Sequence, residues 1–205
     1  HIGGLVGFLK SIRYSSDVLK PSRVIIVFDG KGGSKKRRKI LPEYKGNRKV
    51  KSKLNRNVDW GTAPQDEQQS MKQQMGRLIN YLEQLPLTLV SVDGIEADDT
   101  MAYFTAMDLL NFVNNTDSKI KLLENIKNSD KLIKRNYLLM QLNKVDIPNH
   151  TKMKIQGALN SKVPQLVKYK FQTMFLQDKL SAQIKNFDSW VMEFVRLDRF
   201  RGLNG

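Results

Sequence analysis

The chain has 205 residues, 40% of them apolar, and carries 35 Lys and Arg against 20 Asp and Glu, a formal charge of +15. It has no Cys and only two His, which excludes disulfides, thiolate metal centres and histidine-based zinc sites, and fits a reducing compartment. No apolar run reaches about 18 residues and no signal-peptide pattern opens the chain, so no membrane span is expected; the basic balance points to a polyanion, nucleic acid before lipid.

Leu5, Val6, Phe8, Leu9 and Ile12 recur at helical spacing, predicting a helix over 3–15 and a turn at Pro21-Ser22. Val24 to Phe28 is an unbroken apolar run that predicts a buried strand over 23–28, of the kind found in parallel sheets. It stops at Asp29-Gly30. The character then inverts: between Lys31 and Arg56 stand 12 Lys or Arg and one acid, Glu43. Gly32-Gly33-Ser34 permits an abrupt change of direction. Dense like charge cannot fold against its own repulsion, so residues 31–60 are expected to be mobile alone and ordered on a phosphate backbone. Lys35, Arg37, Arg38 and Lys49 belong to this basic stretch.

Residues 65–84 predict an amphipathic helix with Met71, Met75, Leu78, Ile79 and Leu82 as its buried stripe. A second strand is expected at Leu87–Val92. It too ends at acids, in Asp93-Gly94-Ile95-Glu96-Ala97-Asp98-Asp99. A helix from about Asp98 to Phe112 follows, with Met101, Ala102, Phe104 and Leu109 inward. Helices alternating with strands indicate βαβ units. Beyond residue 113 the pattern is almost wholly helical, with segments at Ser118–Ile126, Asp130–Leu142 and 150–160, another opening at Pro164, and a final one holding Trp190, Phe194 and Leu197.

Ligands of open α/β sheets bind at the carboxyl ends of strands. Asp29 stands at one such end, and Glu96, Asp98 and Asp99 just beyond the other. Acids this close repel one another unless solvent, a helix N-terminus or a cation compensates. A cation must be held by carboxylates here, which favours Mg²⁺ or Mn²⁺. Two neighbouring strand ends could form a two-metal site for phosphodiester hydrolysis, with the basic segment holding the strand. The plainer reading is a turn-capping Asp29, acids capping a helix, and a solvated basic loop.

VIIVFDGKGGSKKRRKILPEYKGNR followed by VDGIEADDTMAY resembles the flap endonuclease and 5′-nuclease family, in particular its bacteriophage 5′-3′ exonuclease or RNase H branch. The resemblance covers roughly residues 3–112. It implies an α/β fold: a PIN-like domain with a mixed, mainly parallel sheet, a basic helical arch over about 31–60, and a helical, DNA-binding C-terminal region over 113–205. It implies hydrolysis with two Mg²⁺ ions, for which Mn²⁺ may substitute. Asp29, Glu96, Asp98 and Asp99 fall on the family's metal ligands. Lys45 falls on the arch lysine at the scissile phosphate, with Arg48 and Arg38 on nearby arch basics and Tyr44 on a base-stacking aromatic.

The implied substrates are branched or 5′-ended DNA and RNA–DNA duplex. The implied setting is phage DNA replication in the cytoplasm of an infected bacterium, by a monomer working with a single-strand-binding protein or a sliding clamp. The chain departs from the family in lacking a first-strand aspartate before Gly3, a Ser/Thr-x-Asp-x-Asp strand, and a Gly-Asp-x-x-Asp-Asn motif. A break in the chain relative to the family is expected between about Leu110 and Ser118. Two other readings stay open: a non-catalytic DNA-binding protein on a decayed nuclease scaffold, and a PIN-type ribonuclease, against which the long basic segment argues.

Overall fold

The structure is a computed structural model, and it describes residues 2–45, 64–114, 129, 131 and 147–203. The helices expected at Ser118–Ile126 and Asp130–Leu142, apart from residue 131, lie outside the described residues, as do Arg48 and Lys49. The elements are α1 (Gly3–Leu19), β1 (Ile25–Phe28), α2 (Lys35–Ile40), α3 (Pro64–Leu82), β2 (Thr88–Ser91), α4 (Ala97–Asn114), α5 (Asn149–Leu159), α6 (Lys168–Gln177) and α7 (Phe187–Arg199), with short 3₁₀ turns at Leu180–Ala182 and Arg201–Leu203. β1 and β2 pair as a small parallel sheet of two strands, and helices make up most of the rest.

The chain divides into two compact units. One takes in His1–Ile26, Lys51–Leu89 and Leu159–Gly205, and the other Val27–Val50 and Val90–Ala158. In the first unit α1 packs against α3 and α7. Leu5 and Leu9 of α1, Tyr81 and Leu82 of α3, and Phe194 and Leu197 of α7 are almost completely buried. Phe171 of α6 is the centre of the ring cluster. Its centroid lies 5.0 Å from Tyr81, edge-on, and 5.2 Å from Trp190, stacked. Both are favoured geometries for aromatic quadrupoles. Burial pushes the Tyr81 hydroxyl's pKa up, and that hydroxyl donates to Asp178 Oδ2 at 2.8 Å, an oxygen also held by Arg77 Nε at 2.7 Å. α1 ends at Lys20, whose left-handed backbone (φ 46°) lets its N–H cap Ser16 O. The Lys20 ammonium then reaches buried Glu193 of α7 at 3.2 Å, and Arg196 reaches the same carboxylate at 2.7 Å.

In the second unit, Val90, Val92, Ile95, Tyr103, Phe104, Ile147 and Ile155 are buried. Tyr103 accepts a hydrogen bond from Gln156 of α5 at 3.0 Å.

Several expectations need correction. α1 runs to Leu19 rather than residue 15. Met71 and Met75 are half exposed, and Tyr81 is the buried residue of α3 that the stripe omitted. On α4, Met101 is 46% exposed while Tyr103 is buried. In each case periodicity located the apolar face, but the larger ring, not the methionine, fills its centre. Pro164 does not open a helix. The Leu166 N–H is taken by Asp198 Oδ1 at 2.9 Å and the Val167 N–H by Gln84 O at 2.8 Å, so α6 begins only at Lys168.

Candidate active site

All described residues of the site belong to the second unit. Both strands end in an Asp-Gly pair, Asp29-Gly30 after β1 and Asp93-Gly94 after β2. The two loops that follow are bonded to each other. Gly30 N–H donates to Ile95 O at 3.1 Å, Gly94 N–H to Lys31 O at 3.0 Å, and Lys31 N–H to Asp93 Oδ1 at 3.1 Å. This approach is too close for side chains. A Cβ on Gly30 would stand 1.7 Å from Val92 O, and one on Gly33 would stand 2.4 Å from Ile95 O. Glycine is therefore required at both positions by contact rather than by dihedral angle.

The loop pairing carries the acids to the N-terminus of α4. Glu96 is the residue before its first turn, and Asp99 reaches back from that turn to accept the Glu96 N–H at 3.3 Å, the reciprocal half of a capping box. Asp29 Oδ1 accepts the Ala97 N–H at 2.8 Å, satisfying another donor that the helix itself leaves unpaired. Asp29 is exposed, Glu96 and Asp99 are 3% exposed, and Asp98 points outward.

The basic segment supplies the opposite charge. α2 is made of Lys35 to Ile40, and a turn brings the chain to Lys45. Arg37 is buried, 8% exposed. Its guanidinium donates to both oxygens of Asp99, one of them at 2.8 Å, and also to Glu96. The Tyr44 hydroxyl donates to Glu96 Oε2 at 2.9 Å, and the Lys45 ammonium donates to Glu96 Oε1. The Lys45 ammonium and Arg37 guanidinium lie 5.3 and 5.8 Å from the Tyr44 ring centroid, within cation–π range. The hydrogen bond to Asp99 raises the Arg37 pKa despite burial, and the charges of Asp99 and Glu96 add to it. Burial pushes the Glu96 carboxyl up, but hydrogen bonds from Lys45 and Tyr44 and the charge of Arg37 outweigh it and hold the carboxyl below its usual range.

A cavity of about 380 Å³ opens beside this network, lined by Asp29, Gly30, Gly32, Gly33, Ser34, Arg38, Lys45 and Glu96. It joins an exposed acid, two cations and a glycine loop, a combination suited to a phosphodiester. Arg38 is exposed, as is Lys35.

The structure thus brings together Asp29, Glu96, Asp99, Arg37, Tyr44 and Lys45, with Arg38 at the cavity and Asp98 outside the network. Of residues 31–60, expected to be mobile without a ligand, 31–45 are described, with Arg37, Tyr44 and Lys45 bonded to the acids of their own chain, and 46–60 lie outside the described residues. Arg37, expected on the nucleic-acid face, is enclosed by carboxylates. Sequence reading missed this partner because it lies 59 and 62 residues away. The paired Asp-Gly strand ends were the available signal that the two loops meet.

The metal ions implied by the resemblance can be tested against this arrangement. The donors are hard oxygens of the right kind. Yet both oxygens of Glu96 and both of Asp99 already accept hydrogen bonds, and among the described residues no group of three acids or histidines could hold a metal. The acids as arranged here do not fit a divalent ion. α4 runs to Asn114, and residues 115–118 of the stretch where a break relative to the family is expected lie outside the described residues. No helix among the described residues is long and apolar enough to cross a membrane.

Comparison with known proteins gives one match. The family described as 5′-3′ exonuclease, N-terminal resolvase-like domain matches residues 1–118. Among curated proteins and among solved structures, nothing matches the chain. The match spans more than half of the 205 residues and contains both strand ends, so this chain belongs to the 5′-3′ exonuclease N-terminal domain family, a family of 5′ nucleases that act on nucleic acid.

Proposed function

We propose that the chain is a structure-specific 5′ nuclease of the phage RNase H branch, a 5′-3′ exonuclease and flap endonuclease that removes primers during phage DNA replication. The observation that carries this reading is the cavity where Asp29, Glu96, Arg38 and Lys45 meet at the end of a parallel strand, in a member of a 5′-nuclease family. Lys45 and Arg48 contact the scissile phosphate in this reading. Lys35, Arg38, Tyr44 and Lys49 hold the strand that leads to it, while Arg37 stays on Glu96 and Asp99. The charge of +15 favours a polyanion and supplies a sequence-independent, salt-sensitive share of affinity.

The substrates are branched or 5′-ended DNA and RNA–DNA duplex. The cofactor in this reading is Mg²⁺, two ions, with Mn²⁺ as substitute; Asp29, Glu96, Asp98 and Asp99 would hold it only in an arrangement other than the one described above, once the cations on Glu96 and Asp99 are displaced. Residues 1–112 form the nuclease domain with its arch at about 31–60, and 113–205 a helical region that binds DNA. The protein works as a monomer in the host cytoplasm, beside a single-strand-binding protein or a sliding clamp.

A second reading has a specific observation behind it. Glu96 and Asp99 are bonded to the chain's own cations, as expected of a DNA-binding protein built on a decayed nuclease scaffold. A substrate panel separates the two. Flap DNA, RNA–DNA hybrid and single-stranded RNA are each incubated with Mg²⁺ and with Mn²⁺. Cleavage of the first two supports the nuclease. Salt-sensitive binding of all three with no cleavage contradicts it.

A further inference from the structure

The mismatch between the acids and a divalent ion has a particular form. Nothing is wrong with the donors; they are occupied. Arg37 engages Asp99 through two nitrogens and Glu96 through one of them, in a site that is almost closed to solvent. A guanidinium is a planar fork with five donors and is weakly hydrated, which suits it to fill a pair of carboxylates from which water is excluded. Glu96 and Asp99 bring two negative charges, and Arg37 and Lys45 bring two positive ones. These two carboxylates, already neutralised, offer a divalent ion little net attraction while Arg37 stays in place. Each of the two carboxylates already accepts three hydrogen bonds across its oxygens, and the charge of a divalent ion repels the cations that make most of them.

We propose that Arg37 is the resident counter-cation of Glu96 and Asp99, and that a divalent ion enters this site only by displacing it. The inference rests on the nuclease reading, since it concerns the same carboxylates. Arg37 is a positioning residue here. In the absence of metal it keeps two buried like charges together at the start of α4, and it sets how much metal the site requires before it fills. Because exchange is mutual, whatever weakens the guanidinium's hold tightens the metal's, and the reverse.

The test is Mn²⁺ binding to the full chain, read by the loss of the free-ion paramagnetic resonance signal. It compares the wild type with Arg37→Met, Arg37→Lys and Asp99→Asn. A charge this close shifts ionic equilibria by about ten- to a thousand-fold. Arg37→Met, which keeps the stem and removes the charge, should bind Mn²⁺ at least about tenfold tighter on that scale. Arg37→Lys should stay near the wild type. Equal or weaker binding by Arg37→Met, while Asp99→Asn loses the ion, would overturn the inference and leave the metal reading standing. Failure of every form to bind Mn²⁺ would remove both.

A measurement on the wild type alone guards against a variant that does not fold. Phenylglyoxal modification of Arg37, followed by peptide mass spectrometry, should be slow in chelator and rise severalfold when Mg²⁺ is added. Protection that Mg²⁺ leaves unchanged would also sink the proposal.

Discussion

The first unit is centred on a cluster of buried rings and the second on a cluster of buried opposite charges, although Glu193 is also buried in the first and Tyr103 and Phe104 in the second. Around Phe171 the aromatic residues Tyr81, Trp190 and Phe194 make a dry core whose stabilisation scales with the area removed from water. Around Glu96 the second unit removes two carboxylates and a guanidinium from water, at a desolvation cost that their mutual attraction about offsets. A core of the first kind is explained by stability alone. One of the second kind is not, because well-packed apolar residues would do as well. The difference makes the charged cluster of the second unit the candidate for function.

That contrast can be broken or sharpened experimentally. Phe171→Ala should cost about 3–5 kcal/mol of stability, measured by urea unfolding, because it empties the centre of the ring cluster. A cost below about 1 kcal/mol would mean that the cluster is loosely packed. Lys45→Ala should leave the fold standing while single-turnover cleavage falls by about 10²–10³-fold, the usual loss for one preorganised charge. Unchanged cleavage would detach Lys45 from the chemistry.

Gly33→Ala is expected to lie between the two kinds of effect. Its Cβ would stand 2.4 Å from the Ile95 carbonyl oxygen, so the paired loops must part. A stability loss of about 1–3 kcal/mol by thermal melting is expected, with cleavage falling alongside.

The smallest effect concerns pH. The Glu96 carboxyl is held below its usual range in the fold, so it binds its proton less readily folded than unfolded. Its contribution is fully present above the unfolded value, about 4.3, and is lost as pH falls through the lower folded one. Denaturation curves between neutral pH and pH 3 should therefore show a shallower acid loss for Glu96→Gln than for the wild type. Equal slopes would mean that the network does not hold the carboxylate in its charged form.

Much of the fold was legible before the structure. The run from Val24 to Phe28 and the acids after Val92 gave both strand ends, because continuous apolar β-branched residues and the Asp-Gly punctuation that follows are local signals. The helices of α3 and α4 were legible as periodicity, but their centres were not. Periodicity cannot say that Tyr81 and Tyr103 go in while Met71, Met75 and Met101 stay half out. The candidate site was legible as an inventory of acids and bases, and illegible as a set of pairs. Arg37 reads as one of many cations in a charge run; only a contact 62 residues away distinguishes it from Arg38, which is exposed. Long-range pairing of this sort leaves no periodic trace.

The most direct test of the central claim is cleavage of a 5′-labelled flap DNA by the wild type and by Asp29→Asn, each with Mg²⁺ and with chelator. Asp29 is exposed, and asparagine keeps the oxygen that accepts the Ala97 N–H, so the variant should fold. Mg²⁺-dependent cleavage by the wild type, reduced at least about 100-fold in the variant, is the expected result. Equal cleavage by both, or tight binding with no cleavage by either, would contradict the assignment of phosphodiester chemistry to these strand ends.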